Sequence, residues 1–174
     1  VEIQWTMGPD VAMAFDHVIP GQSGRADAED ALARTERWLV RAQRRFEELV
    51  KGEREPLPQT LVPIIQGGIF RDLRRGALEG ILRIGDWKAV AVGGLSVGEP
   101  KEEMQAVLED LETVLPKGIP RYLMGVGFPE DVVLAIGRGM DLTDCVAPTR
   151  MGRNGTAFTD TGLEVKLRFS QWKG

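Results

Sequence analysis

Short apolar runs alternate along the chain with longer stretches in which apolar residues recur every three or four positions. Runs of the first kind predict buried strands, and stretches of the second kind predict amphipathic helices. Strands are predicted at residues 11–15, 61–65, 87–92, 122–124 and 142–146. Helices are predicted at 26–50 and 70–84, from near Pro100 with Met104, Val107, Leu108 and Leu111 facing inward, and at 129–138.

This alternation predicts an α/β fold of parallel β/α units with right-handed crossovers. Five strands and four helices are fewer than the eight units that close a barrel. The pattern therefore leaves two architectures open, an open sheet and part of a TIM-type (β/α)8 barrel. Residues 1–174 are interpreted as a single domain, with a possible C-terminal hairpin at 156–167 that turns at residues 160–162.

Composition restricts the classes of function. The chain is 43% hydrophobic and 28% charged, which is typical of a globular domain. No apolar run approaches the roughly 20 residues that cross a bilayer, and the first residues do not resemble a signal peptide, so we expect a soluble, cytoplasmic protein without a membrane partner. One cysteine and one histidine exclude an internal disulfide and a self-contained Cys/His zinc site. The net charge of −4 restricts RNA binding to a local basic patch.

Acids, amides and glycines follow each predicted strand, where chemistry is expected in such folds. They are Asp16, Gln66-Gly67-Gly68, Gly93-Gly94-Leu95-Ser96, Gly125-Val126-Gly127 and Asp144. The carboxyl ends of parallel strands share one edge, which is where barrels and open α/β sheets bind ligands. Asp16 and Asp144 form the natural chemical pair there. Helix capping by the acids and turn formation by the glycines remain alternatives, as does an unrelated α/β enzyme acting on a sugar or nucleoside.

Five motifs occur together in a characteristic order: AMAFD, VPIIQGGIFRDLRR, VGGLSVGEPKEEM, PRYLMGVGFPEDVV and DLTDCVAPTRMGRNGTAFT. This ordered set, from about residue 11 to about residue 159, resembles the tRNA-guanine transglycosylase family, also named queuine tRNA-ribosyltransferases. The resemblance implies a TIM-type barrel and a transferase of tRNA processing and queuosine biosynthesis. Its expected reaction replaces guanine at the anticodon wobble position by a 7-deazaguanine base, so the expected partners are that base and the tRNA anticodon loop.

The resemblance also implies roles for particular residues. Asp144 matches the carboxylate that attacks C1′ of the ribose and forms a covalent ribosyl-aspartate intermediate, as in a retaining glycosidase. The expected base-binding residues are Asp16 at the N–H edge of the base, Gln66 and the backbone of Gly94 and Leu95 at its other polar edge, and Met124 on the ring face. Arg150 and Arg153 match arginines that contact phosphates beside the anticodon loop.

The chain departs from the family pattern at both ends. Counterparts of the N-terminal barrel strands and of the C-terminal Cys/Cys/Cys/His zinc subdomain are not found, so the resemblance covers the C-terminal half of the barrel, and neither zinc nor another cofactor is expected. Three interpretations follow: a fragment of a larger enzyme, a chain that completes its barrel as a homo-oligomer or with another chain, or a non-catalytic module that binds RNA or a partner. Val18 and Ser96 resemble queuine-using enzymes and Val97 resembles those using 7-aminomethyl-7-deazaguanine (preQ1), so the incoming base stays open.

Overall fold

A computed structural model describes residues 1–52, 58–159 and 164–166. Its helices are α1 (Glu2–Met7), α2 (Arg25–Gly52), α3 (Arg71–Ile84), α4 (Lys101–Glu112), α5 (Pro129–Gly137) and α6 (Ala147–Arg153). Its strands are β1 (Val11–Met13), β2 (Thr60–Val62), β3 (Ile64–Ile65), β4 (Val90–Val92), β5 (Arg121–Leu123), β6 (Leu142–Thr143), β7 (Thr156–Phe158) and β8 (Glu164–Lys166).

The first six strands are parallel to their neighbours and follow chain order. β1 pairs with β2, and β3 to β6 form a four-stranded sheet in the order β3-β4-β5-β6. Pro63 lies between β2 and β3, and it cannot donate a backbone hydrogen bond to a neighbouring strand. The predicted strand 61–65 is therefore divided, with one part pairing with β1 and the other with β4. The predicted α/β class of parallel β/α units is confirmed, and the alternation fits part of a TIM-type barrel.

The helices cover the sheet through apolar stripes. Met104, Val107, Leu108 and Leu111 of α4 are all buried, as their spacing predicts. On α2 the buried residues are mostly small, namely Ala28, Ala31, Thr35, Leu39 and Ala42. The larger apolar residues Leu32 and Phe46 of this helix are only partly buried. Small side chains on the inner face let the helix axis approach its neighbours closely.

Two helices were not predicted from the sequence. α1 has six residues and α6 has seven, and neither is long enough to show a clear apolar period. α6 starts shortly after the short strand β6, so the predicted strand 142–146 is correct only at its first two residues. Val146 instead precedes the first residue of α6. Asp144 therefore lies in a β/α loop, between β6 and α6.

The C-terminal part of the described chain forms an antiparallel pair. β7 and β8 pair with Thr156 opposite Lys166 and Phe158 opposite Glu164. Both strands lie within the range 156–167 proposed for a hairpin, and the proposed turn at residues 160–162 lies outside the described residues. In the part of the chain that the structure describes, no helix combines the length and apolar character required to cross a bilayer.

Candidate active site at the carboxyl ends of the strands

A cleft of about 290 Å³ lies where β1, β4, β5 and β6 end. Its lining residues are Asp16, Val18, Gly93, Gly94, Leu95, Ser96, Val97, Met124, Gly125 and Asp144. This volume is close to the lower end of the range for small-molecule sites, which is about 300–1,000 Å³. The cleft thus brings together residues from four separated loops, and both predicted carboxylates are among them.

Asp144 follows β6 and is exposed at the cleft. Its Oδ1 atom accepts a hydrogen bond from the hydroxyl of Tyr122 at 2.7 Å and another from the backbone N–H of Gly125 at 2.8 Å. Among the described residues, its Oδ2 atom accepts no hydrogen bond. One carboxylate oxygen therefore fixes the side chain, while the other remains available to a ligand.

Tyr122 lies on β5, next to β6, and pairs in register with Leu142. Burial, together with the hydrogen bond to Asp144 and the negative charge of that carboxylate, raises the pKa of its hydroxyl to about 12. The hydroxyl is therefore protonated at neutral pH and acts as a donor. The sequence places Tyr122 on a strand but gives no sign of this contact, because Tyr122 and Asp144 are 22 positions apart.

Asp16 and Gln66 form a second polar pair at the cleft. The Nε2 atom of Gln66 donates to Oδ2 of Asp16 over 2.6 Å. The Gln66 side chain is buried, whereas Asp16 is partly exposed. The amide of Gln66 holds the carboxylate of Asp16 in one orientation. These two residues, which were predicted to bind opposite edges of the base, are thus in direct contact with each other.

The Gly93-Gly94 loop passes over Gln66 with no room for a side chain. A Cβ atom on Gly94 would lie 2.3 Å from Oε1 of Gln66, and one on Gly93 would lie 2.7 Å from Cγ2 of Ile64. Gly94 also has a φ of 63°, a conformation that glycine adopts without strain. These glycines are needed for close approach of the backbone to the cleft.

A buried arginine that sequence reasoning did not single out lies behind this loop. Arg74, on α3, is completely buried. Its guanidinium group donates to the carbonyl oxygens of Ile65, Gly68, Gly93 and Gly94 at 2.6–3.2 Å. Burial lowers its pKa to about 10, and the negative charge of Glu99 opposes that shift. The group is still protonated at neutral pH.

The next residues of the loop are held by Glu99. Its carboxylate accepts hydrogen bonds from the backbone N–H of Ser96 and, at 2.9 Å, from that of Val97. Ser96 has a φ of 58°, which is uncommon for a residue with a side chain. Strained backbone of this kind persists where surrounding contacts over-determine it, and it is often found at ligand sites.

Arg150 and Arg153 do not line the cleft. Both are exposed on α6, the helix that begins three residues after Asp144. No hydrogen bond or ion pair between side chains within the described ranges involves either guanidinium group. They therefore form a small, accessible basic surface beside the loop that carries Asp144.

The structure thus places the predicted site residues in two groups. Asp16, Gly94, Leu95, Met124 and Asp144 line one cleft, and Gln66 joins them through its bond to Asp16. The two arginines stand outside it on α6. A different cavity of about 310 Å³, lined by residues that include Phe46, Gln59 and Trp87, lies at the amino ends of β2 and β4. None of the predicted site residues is there.

The described residues contain no group of three or more His, Cys, Asp or Glu side chains arranged to hold a metal ion. The zinc site implied by the family resemblance uses three cysteines and a histidine. This chain has one cysteine and one histidine, so its residues do not fit that site.

Fold and site together define a class: a parallel β/α protein of barrel type, with a fixed carboxylate and a second polar pair at a cleft where the strands end. Comparison with known proteins is consistent with this class and identifies one family within it. The family model described as Queuine tRNA-ribosyltransferase matches residues 1–174. The chain belongs to this family.

Curated relatives carry the same name. The chain is 42% identical over 173 residues to the Queuine tRNA-ribosyltransferase of Chromobacterium violaceum, covering 99% of the chain and 44% of that protein. It is 44% identical to the protein of that name from Actinobacillus pleuropneumoniae serotype 5b and 43% identical to that from Haemophilus ducreyi, each over 99% of the chain and 43% of the relative. The chain therefore spans less than half the length of these relatives.

Proposed function

We propose that this chain carries the base-exchange site of a tRNA-guanine transglycosylase, which replaces guanine at the anticodon wobble position by a 7-deazaguanine. The observation that supports this most directly is the arrangement of Asp144. Its carboxylate is fixed through one oxygen and open through the other, and it faces the same cleft as the Asp16–Gln66 pair. A nucleophile and a base-recognition pair are what such an exchange requires.

In the proposed reaction, Oδ2 of Asp144 attacks C1′ of the ribose. A C1′–O bond forms as the bond from C1′ to the guanine nitrogen breaks, and the electron pair of that bond leaves with guanine, which takes up a proton. The incoming base then loses the proton of its attacking ring nitrogen, which balances the proton taken up by guanine, and this nitrogen attacks C1′ from the vacated face and displaces the carboxylate. Two inversions give net retention of configuration, as in retaining glycosidases.

Recognition of the base is assigned to the cleft's polar groups. A carboxylate can accept hydrogen bonds from two adjacent N–H donors, and guanine presents two such donors beside its carbonyl. Asp16 would accept from that edge, while the Gln66 amide and the backbone of Gly94 and Leu95 would meet the carbonyl side. Met124 would pack on the ring. Both preQ1 and queuine share this edge, so the proposal covers either base.

Contact with RNA is assigned to Arg150 and Arg153. A guanidinium group suits the geometry of a phosphate, and a base in a single-stranded loop can be turned out of its stack into a pocket. Their position on α6 is suited to the backbone on either side of the nucleotide held by Asp144. The tRNA anticodon loop is accordingly the proposed partner.

The decisive experiment is trapping of the covalent intermediate. The protein is incubated with a tRNA anticodon stem-loop, and the product is resolved on a denaturing gel. We expect a protein–RNA adduct with the wild-type chain and none with Asp144→Asn, because a carboxamide is a far weaker nucleophile. Asp141→Asn is the matched control: Asp141 lies three residues earlier and accepts a hydrogen bond from the backbone of Arg121.

An adduct that survives in Asp144→Asn would refute the assignment of the nucleophile. If the folded wild-type chain bound RNA but formed no adduct and exchanged no guanine, catalysis by this chain would be refuted. That result would favour a non-catalytic RNA-binding module. Circular dichroism of each variant establishes that the fold is unchanged.

A further inference from the structure

Arg74 stands out among the charged side chains because its partners are all backbone carbonyls. Within the described ranges it makes no ion pair, although it is completely buried. A buried cation without a carboxylate beside it is costly unless hydrogen bonds satisfy its donors. Here all three nitrogens of the guanidinium group donate. Arg74 therefore has a role beyond filling space in the core, namely to hold backbone carbonyl groups in place.

The four acceptors lie on two neighbouring segments, one at the end of β3 and one after β4, and the second of these lines the cleft. Ile65 is the last residue of β3 and directly precedes Gln66, Gly68 lies two positions after Gln66, and Gly93 and Gly94 follow β4. Arg74 therefore connects the loop that holds the recognition amide to the loop that passes over it. Gly67 packs directly on Arg74, since a Cβ atom there would lie 2.9 Å from Cγ of the arginine.

The hydrogen bonds of Arg74 also set the direction of two amide groups. In a planar trans peptide, the C=O and the N–H point in opposite directions. Because Arg74 holds the carbonyls of Gly93 and Gly94, the N–H groups of Gly94 and Leu95 are turned away from it. Within the described chain neither N–H has an acceptor, and both residues line the cleft.

We propose that Arg74 is a positioning residue for base binding, which orients the N–H groups of Gly94 and Leu95 toward the carbonyl edge of the base. The proposal rests on the proposed function, because it assumes that the cleft binds a guanine-like base. This role requires the planar guanidinium group, whose three nitrogens donate in fixed directions. Lysine keeps the charge but has a single nitrogen, so it cannot hold four carbonyls in the same geometry.

The test compares Arg74→Lys with Arg75→Lys. Arg75 is the next residue on α3 and pairs with Asp110 at the protein surface, away from the cleft. Two-dimensional amide NMR follows the Gly94 and Leu95 signals of each variant, and guanine is titrated into each sample. We expect these two signals to shift or broaden in Arg74→Lys alone, with guanine binding weakened by roughly tenfold or more.

RNA affinity separates positioning from general damage. Arg74→Lys should bind the anticodon stem-loop within about twofold of wild type, since the RNA contacts are assigned to α6. Unchanged Gly94 and Leu95 signals together with unchanged guanine affinity would overturn the role of Arg74. A folded wild-type protein that did not bind guanine would instead overturn the proposed function, and with it this inference.

Should Arg74→Lys fail to fold, the wild-type protein still decides the question. The Nε–H signal of Arg74 is expected to be visible because the group is buried and bonded to Gly68. On titration with guanine it should shift together with the amide signals of Gly94 and Leu95. An Arg74 signal that stays fixed while those two amides shift would contradict the proposal.

Discussion

At the scale of single residues, Asp144 owes its geometry to neighbours that are distant in sequence. Tyr122 and the backbone of Gly125 both donate to the same oxygen. Tyr122 is the only tyrosine of the chain, so the ionisation of its hydroxyl can be followed without interference from a second phenol. A hydrogen bond that is central to the proposed nucleophile is thus open to direct measurement.

The hydroxyl of Tyr122 should ionise with a midpoint at about pH 12 in the folded protein. This pKa lies above the ordinary value of 10.0, so the folded state favours the protonated form. The resulting stabilisation is complete below about pH 10 and is lost as the pH rises through 12. Phenolate absorbance after rapid pH jumps, read before unfolding, measures the midpoint.

Two further titrations of the Tyr122 hydroxyl test what raises its pKa. Asp144→Asn should lower the midpoint, because it removes the carboxylate charge, but burial should still keep it above 10. The wild-type protein in urea should titrate near 10. A folded wild-type midpoint no higher than that of Asp144→Asn would show that the hydrogen bond to Asp144 is not formed in solution.

At the scale of elements, the loops after β5 and β6 are packed against each other with no spare space. A Cβ atom on Gly127 would lie 2.0 Å from Cβ of Cys145. Cys145 directly follows Asp144 and also accepts a hydrogen bond from the N–H of Ala147 at the start of α6. The absence of a side chain at Gly127 therefore fixes where the loop of the proposed nucleophile lies.

Gly127→Ala should destabilise the protein by about 1–3 kcal/mol, as expected for overpacking, and should reduce the yield of trapped adduct. Adding Cys145→Gly should recover part of both effects, because it removes the atom that clashes. Urea denaturation and the trapping gel measure them. The matched control is Gly137→Ala on α5, where an added Cβ atom meets nothing within 4 Å. Equal effects at both glycines would contradict this interpretation.

The sequence predicted the elements that have a strong apolar period, and it failed where a tertiary contact decides the local structure. α4 lies with its predicted residues buried. α6 was missed, because a helix of seven residues is too short to show an apolar pattern of its own and depends on tertiary contacts. Pro63 was visible in the sequence, but only the pairing of β2 with β1 and β3 with β4 shows that it divides a strand.

At the scale of the whole molecule, charge restricts how RNA can bind. The net charge of these 174 residues is −4, so attraction of this chain to the proposed RNA partner has to come from a local surface. In the proposed function, this surface is assigned to Arg150 and Arg153, which are exposed on α6 beside the loop of Asp144. Several arginines on α2 and α3 are instead paired with nearby acids, such as Arg44 with Glu48.

Arg150→Gln and Arg153→Gln should each weaken binding of the anticodon stem-loop and make it less dependent on salt. The slope of log K against log salt concentration should decrease in size by roughly 0.7 to 1 for each phosphate that is no longer neutralised. Fluorescence anisotropy over a range of salt concentrations measures it. Arg83→Gln, at the far end of α3, serves as the control. Identical slopes for all three variants would show that the arginines of α6 do not contact the RNA.

The sequence by itself determined the alternation of strands and helices, the membership of the family and the set of candidate residues, because periodicity and motif order are properties of the chain. The tertiary structure decided which of those residues meet. Asp144 is held by Tyr122, Asp16 by Gln66, and the Gly93-Gly94 loop by Arg74. Each of these contacts joins residues 19 to 50 positions apart. Such pairs depend on strand order and on how closely glycine loops approach, and those are set by packing across the sheet.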